Sequence, residues 1–136
     1  MDMLHVTSAH LRLFLHVLAA CVWVGGQITL AGLVPVLRPF GPDATRAAAR
    51  RFNVVAWSSM AVLLVTGIWN LTAVHMSDQS HEWKVTLVVK LIAVAVTAVG
   101  AAVHIAGKSK AALAVGGALS SLGAVAALFL GVVLHG

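Results

Sequence analysis

An uncharged apolar run near the start of the chain places the strongest limit on its fold. From Leu13 to Leu37 the sequence contains no Asp, Glu, Lys or Arg. About 20 such residues in an α-helix cross the hydrocarbon core of a bilayer. The run, taken from residue 11 to 37, therefore predicts a membrane-spanning helix.

Three further apolar stretches follow, each bounded by charged residues, Gly or Pro. They cover residues 52–74, 85–106 and 111–135, and the connections between them are too short for a soluble domain. We therefore expect residues 1–136 to form one all-α integral membrane domain, an up-down bundle of four transmembrane helices.

Proline residues and a charged segment separate the first two spans. Pro35, Pro39 and Pro42 are expected to end the first helix. Asp43 is expected to cap a short helical lead-in, ATRAAARR, that runs into the second span.

The composition agrees with a membrane protein. Hydrophobic residues make up 60% of the chain and charged residues 10%, whereas soluble proteins carry about 25% charged residues. The formal net charge is +5, but the basic residues cluster in two short loops rather than along one face. This distribution indicates contact with the lipid bilayer and argues against nucleic acid as a partner.

The division of Lys and Arg between the loops predicts the orientation. The loops after the first and third spans share an excess of basic residues: Arg38, Arg46, Arg50, Arg51, Lys108 and Lys110. The opposite side has Arg12 and Lys84 beside three acidic residues. The positive-inside rule therefore places both termini outside the cytoplasm, in a bacterial-type plasma (inner) membrane.

Polar side chains of the first span share one helical face. His16, Trp23 and Gln27 fall at i, i+7 and i+11. An imidazole and a carboxamide that faced lipid would lack hydrogen-bond partners, so we expect this face to point inward.

Three polar residues of different spans are predicted at a similar depth. His16, Asn70 and Lys90 each lie about 6 to 8 Å below the outer interface. No span contains a carboxylate that could pair with Lys90. Lys90 either extends its ammonium to the interface or faces His16 and serves an anionic or metal-bound ligand.

Small residues recur every fourth position in the last span. Such stripes allow membrane helices to approach closely. There are two of them, Gly116 with Ser120 and Ala124, and Gly123 with Ala127 and Gly131.

Several segments resemble the copper resistance protein D (CopD) domain. They are LHVLAACVWVGG from Leu15 to Gly26, the lead-in ATRAAARRF, VTGIWN from Val65 to Asn70, and WKVTLVVKL from Trp83 to Leu91. The matching positions are His16, Trp23, Gly26, Gly67 and Lys90. The first helix is also similar to that of HemJ-type protoporphyrinogen oxidases, whose corresponding histidine is implicated as a haem ligand.

The CopD resemblance implies copper uptake or tolerance without enzymatic activity. His16, His75 and His135 are then the candidate metal ligands. Copper accepts imidazole and soft sulfur donors, and the outer side supplies both kinds: Met1, Met3, His5, His10, His75, Met76, His81 and His135. A protonated Lys90 would repel a cation that moved inward.

The HemJ resemblance implies a membrane redox protein that binds haem b, and thus an oxidoreductase. His16 would be the axial ligand, and Lys90 a propionate partner or the second ligand. Trp23 and Asn70 are further candidates for contact with the cofactor. No second histidine lies at matching depth in another span, because His104 is near the other surface.

A third alternative is a structural or accessory membrane subunit, in which His16 is an interior hydrogen-bonded residue. In every case the chain could form a homo-oligomer or associate with a larger membrane or periplasmic partner.

Overall fold

Four long α-helices make up the computed structural model, which describes residues 5 to 136. They are α1 (Ser8–Leu37), α2 (Pro42–Thr72), α3 (His81–Ala106) and α4 (Lys110–His135), with short 3-10 turns at Arg38–Phe40 and Met76–Asp78. No strand occurs in this part of the chain. Each helix is long and apolar enough to cross a membrane, so the predicted set of four membrane-length helices is confirmed.

The first helix begins three residues before its predicted span and ends at the predicted residue, Leu37. Thr7 caps α1, because its side chain accepts a hydrogen bond from the backbone N–H of His10 at 3.5 Å. In return, Nδ1 of His10 accepts the backbone N–H of Thr7 at 3.1 Å. The prediction that Pro35 ends the helix is wrong, since α1 continues to Leu37. Pro35 lies inside the last turn, where a proline removes one i→i−4 backbone hydrogen bond.

The second helix includes the charged lead-in, as predicted, and begins at Pro42. Its N-cap is Gly41, with φ of +94°, a left-handed conformation that favours glycine. The prediction that Asp43 caps this helix is wrong, because Asp43 already lies in the first turn. Its carboxylate forms an exposed ion pair of 3.5 Å with Arg46.

The helices fall into two compact units, one ending at Val74 and the other beginning at His75. In the first unit α1 packs against α2. The rings of Trp23 and Trp57 meet edge to face, with centroids 5.6 Å apart, a geometry that stabilises aromatic pairs by about 0.5 to 1.5 kcal/mol. Trp23 is only 3% exposed, so this pair holds the middle of the helical hairpin.

In the second unit α3 and α4 approach so closely that their backbones touch. A Cβ added to Gly116 would lie 2.5 Å from the backbone nitrogen of His104, and one added to Gly100 would lie 2.6 Å from that of Ser120. The hydroxyl of Thr97 donates to the Ser120 carbonyl at 2.6 Å. Gly116, Ser120 and Ala124 are all buried, which confirms the predicted packing role of this stripe.

Candidate functional site

The candidate site of the first unit is centred on His16, in the third turn of α1. Its Nδ1 lies 2.8 Å from Oγ1 of Thr66 on α2. Thr66 is 3% exposed, and the imidazole is partly buried. The neighbouring Gly67 presents no side chain to the ring, since a Cβ added there would lie 3.6 Å from Cε1 of His16.

The hydrogen bonds of Thr66 assign the proton on this imidazole. The Thr66 hydroxyl donates to the carbonyl of Val62 at 2.6 Å, and a hydroxyl has only one proton to donate. Its oxygen must therefore accept from Nδ1–H of His16. In the neutral imidazole the lone pair then lies on Nε2. Nδ1 of His16 is thus held by a hydrogen bond, as the second ring nitrogen of metal-binding histidines usually is.

A second polar pair connects α1 and α2 next to the first. Nε of Arg12 donates to Oδ1 of Asn70 at 2.6 Å, and the guanidinium carbon lies 6.0 Å from the ring centroid of Trp69. The predicted candidate Asn70 therefore contacts an arginine of the same unit. Its predicted contact with a cofactor stays a prediction.

An open apolar cleft lies along this side of the first unit. Its volume is about 370 Å³, within the range of small-molecule sites. The wall of the cleft includes Thr66, which pairs with His16, and Trp69, which lies beside Arg12. The complete lining is Leu15, Ala61, Val62, Val65, Thr66 and Trp69.

Trp23 has a packing role in the structure. It is buried and contacts Trp57 edge to face, two turns along α1 from His16. Its predicted role in cofactor binding stays a prediction beside this observed role.

The predicted residue Lys90 lies in the second unit, half-buried on α3. A Cβ added to Gly131 of α4 would lie 3.3 Å from Nζ of Lys90. The Lys90 ammonium therefore lies beside Gly131, where any larger residue would have its side chain. His135 donates from Nδ1 to the carbonyl of this same glycine at 2.8 Å, because a carbonyl can only accept. Lys90 as a cofactor ligand stays a prediction.

Two of the histidines proposed as copper ligands, His75 and His135, lie on the protein surface. His75 precedes a 3-10 turn and is exposed, and so is His135 at the end of α4. Among residues 5 to 136, no group of three or more His, Cys, Asp or Glu side chains could hold a metal ion. Met1 and Met3, named above as copper donors, lie outside these residues.

Two residues that matter here, Thr66 and Arg12, were not among the predicted site residues. A spacing in the sequence could have indicated them. Arg12 precedes His16 by four residues on α1, and Asn70 follows Thr66 by four on α2. In antiparallel neighbouring helices this spacing gives two adjacent cross-helix pairs.

No protein-family model, curated protein or solved structure matches the chain, so the family resemblance rests on the sequence motifs.

Proposed function

We propose that the protein binds haem b in the membrane, with Nε2 of His16 as axial ligand, and that it serves a redox function. The observation that carries the proposal is the hydrogen bond from Nδ1–H of His16 to Thr66. Histidines that bind metals usually donate their second ring nitrogen in this way, which orients the ring and raises its basicity.

The donor set fits haem better than copper. Haem needs one imidazole for attachment, apolar surroundings for the macrocycle and cations for its carboxylates. The first unit offers His16 and Arg12, which do not line the apolar cleft but contact two residues of its wall, Thr66 and Trp69. A protein copper site needs several donors, and among residues 5 to 136 no three His, Cys, Asp or Glu side chains are grouped so that they could hold a metal ion.

The residues of the first unit have distinct roles in this proposal. Thr66 holds the imidazole in one orientation and keeps the proton on Nδ1. The apolar side chains along α1 and α2 exclude water. When bound, haem iron supplies one-electron chemistry.

Replacing Thr66 tests the hydrogen bond to His16 on which the proposal rests. Thr66→Val removes the acceptor at nearly constant volume, so we expect haem affinity to fall about 10- to 100-fold, as for other lost partners of metal-binding histidines. Thr66→Ser keeps a hydroxyl and should retain most of the affinity. The measurement is a titration of detergent-solubilised apoprotein with haem b, followed by absorbance.

The same preparations should be titrated with copper. If wild-type protein takes up copper stoichiometrically and shows no saturable haem spectrum, the haem proposal is wrong and the CopD-like copper function stands. Equal haem affinity in Thr66→Val and wild type would show that Thr66 does not support the ligand.

We further infer that the four helices form an up-down bundle in a bacterial-type plasma membrane, with both termini outside the cytoplasm. The support is the excess of basic residues in the loops after α1 and α3. This orientation places Arg12 and His16 towards the outer side.

Labelling of single cysteines tests the orientation. In a Cys21→Ala background, Gln79→Cys and Lys108→Cys place a thiol in the loops after α2 and α3. An impermeant maleimide added to intact cells should label the first variant, and the second only after permeabilisation. The opposite pattern would invert the topology.

A further inference from the structure

Arg12 makes two directional contacts within the first unit. Its Nε donates to Asn70 Oδ1 at 2.6 Å, and its guanidinium carbon lies 6.0 Å from the ring centroid of Trp69. The side chain is half-buried. The hydrogen bond at Nε and the Trp69 ring beside the guanidinium restrict the rotation of this long side chain. Such restriction is typical of a preorganised binding group.

The contact through Nε determines which donors remain. The two Nη groups lie at the other end of the planar guanidinium, and together they match the two oxygens of a carboxylate. No carboxylate of the described chain provides this partner, because the ion pair found among residues 5 to 136 is that of Arg46 with Asp43. A cation that is partly removed from water is stabilised by a nearby anion.

Arg12 and His16 are placed to act on one ligand. They are four residues apart on α1, which is about 6 Å along the helix axis. The acceptors that hold them, Asn70 and Thr66, have the same separation on α2. Trp69 connects the pair to the apolar cleft, since it lines that cleft and also lies beside the guanidinium.

We propose that Arg12 binds a carboxylate of the ligand held at His16, namely a propionate of haem b, and that Asn70 positions the guanidinium for this contact. The inference rests on the proposed haem function. Haem is an apolar plane with both carboxylates at one edge, so a site for it requires an imidazole, an apolar wall and a cation close together. The first unit brings these three features into neighbouring helical turns.

The test compares haem b with its dimethyl ester, in which both carboxylates are blocked. Wild type, Arg12→Gln and Arg46→Gln are titrated with each compound in detergent, and binding is followed by absorbance. We expect Arg12→Gln to bind haem b about 10- to 100-fold more weakly, the usual effect of losing a hydrogen bond between charged groups. Its affinity for the dimethyl ester should equal that of wild type.

Arg46→Gln is the matched control, because Arg46 is an exposed arginine in the lead-in of α2. It should bind both compounds as wild type does. An equal loss for haem b and the ester in Arg12→Gln would show that Arg12 only supports the fold. Unchanged haem affinity would also overturn the inference, while the proposed haem function would stand. If wild type bound neither compound, the proposed function and the inference would both be wrong.

Discussion

Replacing His16 with alanine should reduce the haem content of the purified protein from about one per chain to nearly none. The substitution removes the imidazole that forms the part-buried hydrogen bond with Thr66 and that is the proposed iron ligand. Haem content is measured from the spectrum of the pyridine complex, relative to protein concentration. Circular dichroism of the same samples checks that the helices remain.

Two companion variants separate ligation from structure. In His16→Gln the amide can still donate to Thr66, so packing is retained while the imidazole nitrogen is lost, and haem should still be absent. The double variant His75→Ala/His135→Ala removes two exposed histidines and should keep its haem. Normal haem content in His16→Gln, or loss in the double variant, would place the haem elsewhere. A loss of copper binding in the double variant would favour the copper alternative.

Replacing Gly116 with leucine should destabilise the second unit by about 3 kcal/mol, at the upper end of the usual cost of overpacking. A Cβ at this position would lie 2.5 Å from the His104 nitrogen and 2.8 Å from the Gly100 carbonyl oxygen. Both atoms belong to the backbone, so no side-chain rotation can relieve the clash. Helices α3 and α4 would have to separate, with loss of the hydrogen bond between Thr97 and Ser120.

The control for this change is Gly32→Leu, on α1. Gly32 is exposed, and a Cβ there would have no atom within 4 Å. Because leucine forms helices more readily than glycine, this variant should be as stable as wild type or slightly more stable. Thermal unfolding in detergent, followed by circular dichroism, measures both variants. Equal unfolding midpoints for Gly116→Leu and wild type would contradict the close packing of the two helices.

The membrane helices could be predicted because hydropathy depends on composition alone. The C-terminal ends of α1, α3 and α4 coincide with the ends of their predicted spans, whereas α1 and α3 begin three and four residues earlier than predicted, because a helix start depends on local hydrogen bonding rather than on apolarity. The second membrane span was predicted from residue 52 with a helical lead-in before it, and α2 includes this lead-in and begins at Pro42. Hydropathy shows where a helix can enter the membrane, which differs from where the helix begins.

His16 was predicted because an imidazole in an uncharged span requires a partner. The identity of that partner could not be predicted from either helix alone. Periodicity within one helix shows which residues share a face but gives no register between two helices. The sequence also gives no reason to expect that Thr66 needs a hydrogen-bond partner on another helix, because membrane threonines commonly donate to a carbonyl one turn earlier. Thr66 does so with Val62 and accepts from His16 as well.

Arg12 was predicted only as a charge near the membrane surface, since it lies at the edge of the first apolar run. Its contacts with Asn70 and Trp69 depend on how α1 and α2 pack. The copper interpretation, in contrast, relied on counting imidazole and sulfur donors on one side of the membrane. A count includes exposed residues such as His75 and His135, which the structure does not bring into a group of three or more potential metal ligands.

Pulsed electron paramagnetic resonance of the ferric haem protein tests the central claim most directly. Samples are prepared with unlabelled and with ¹⁵N-labelled histidine, and the coupling of the iron spin to nearby nitrogen nuclei is compared. If His16 is the axial ligand, a strong coupling of the iron spin to ¹⁴N will be replaced by a coupling to ¹⁵N in the labelled wild type. The labelled His75→Ala/His135→Ala variant should show the same replacement. Identical spectra from labelled and unlabelled protein would show that no histidine nitrogen binds the iron, which would contradict the proposed site.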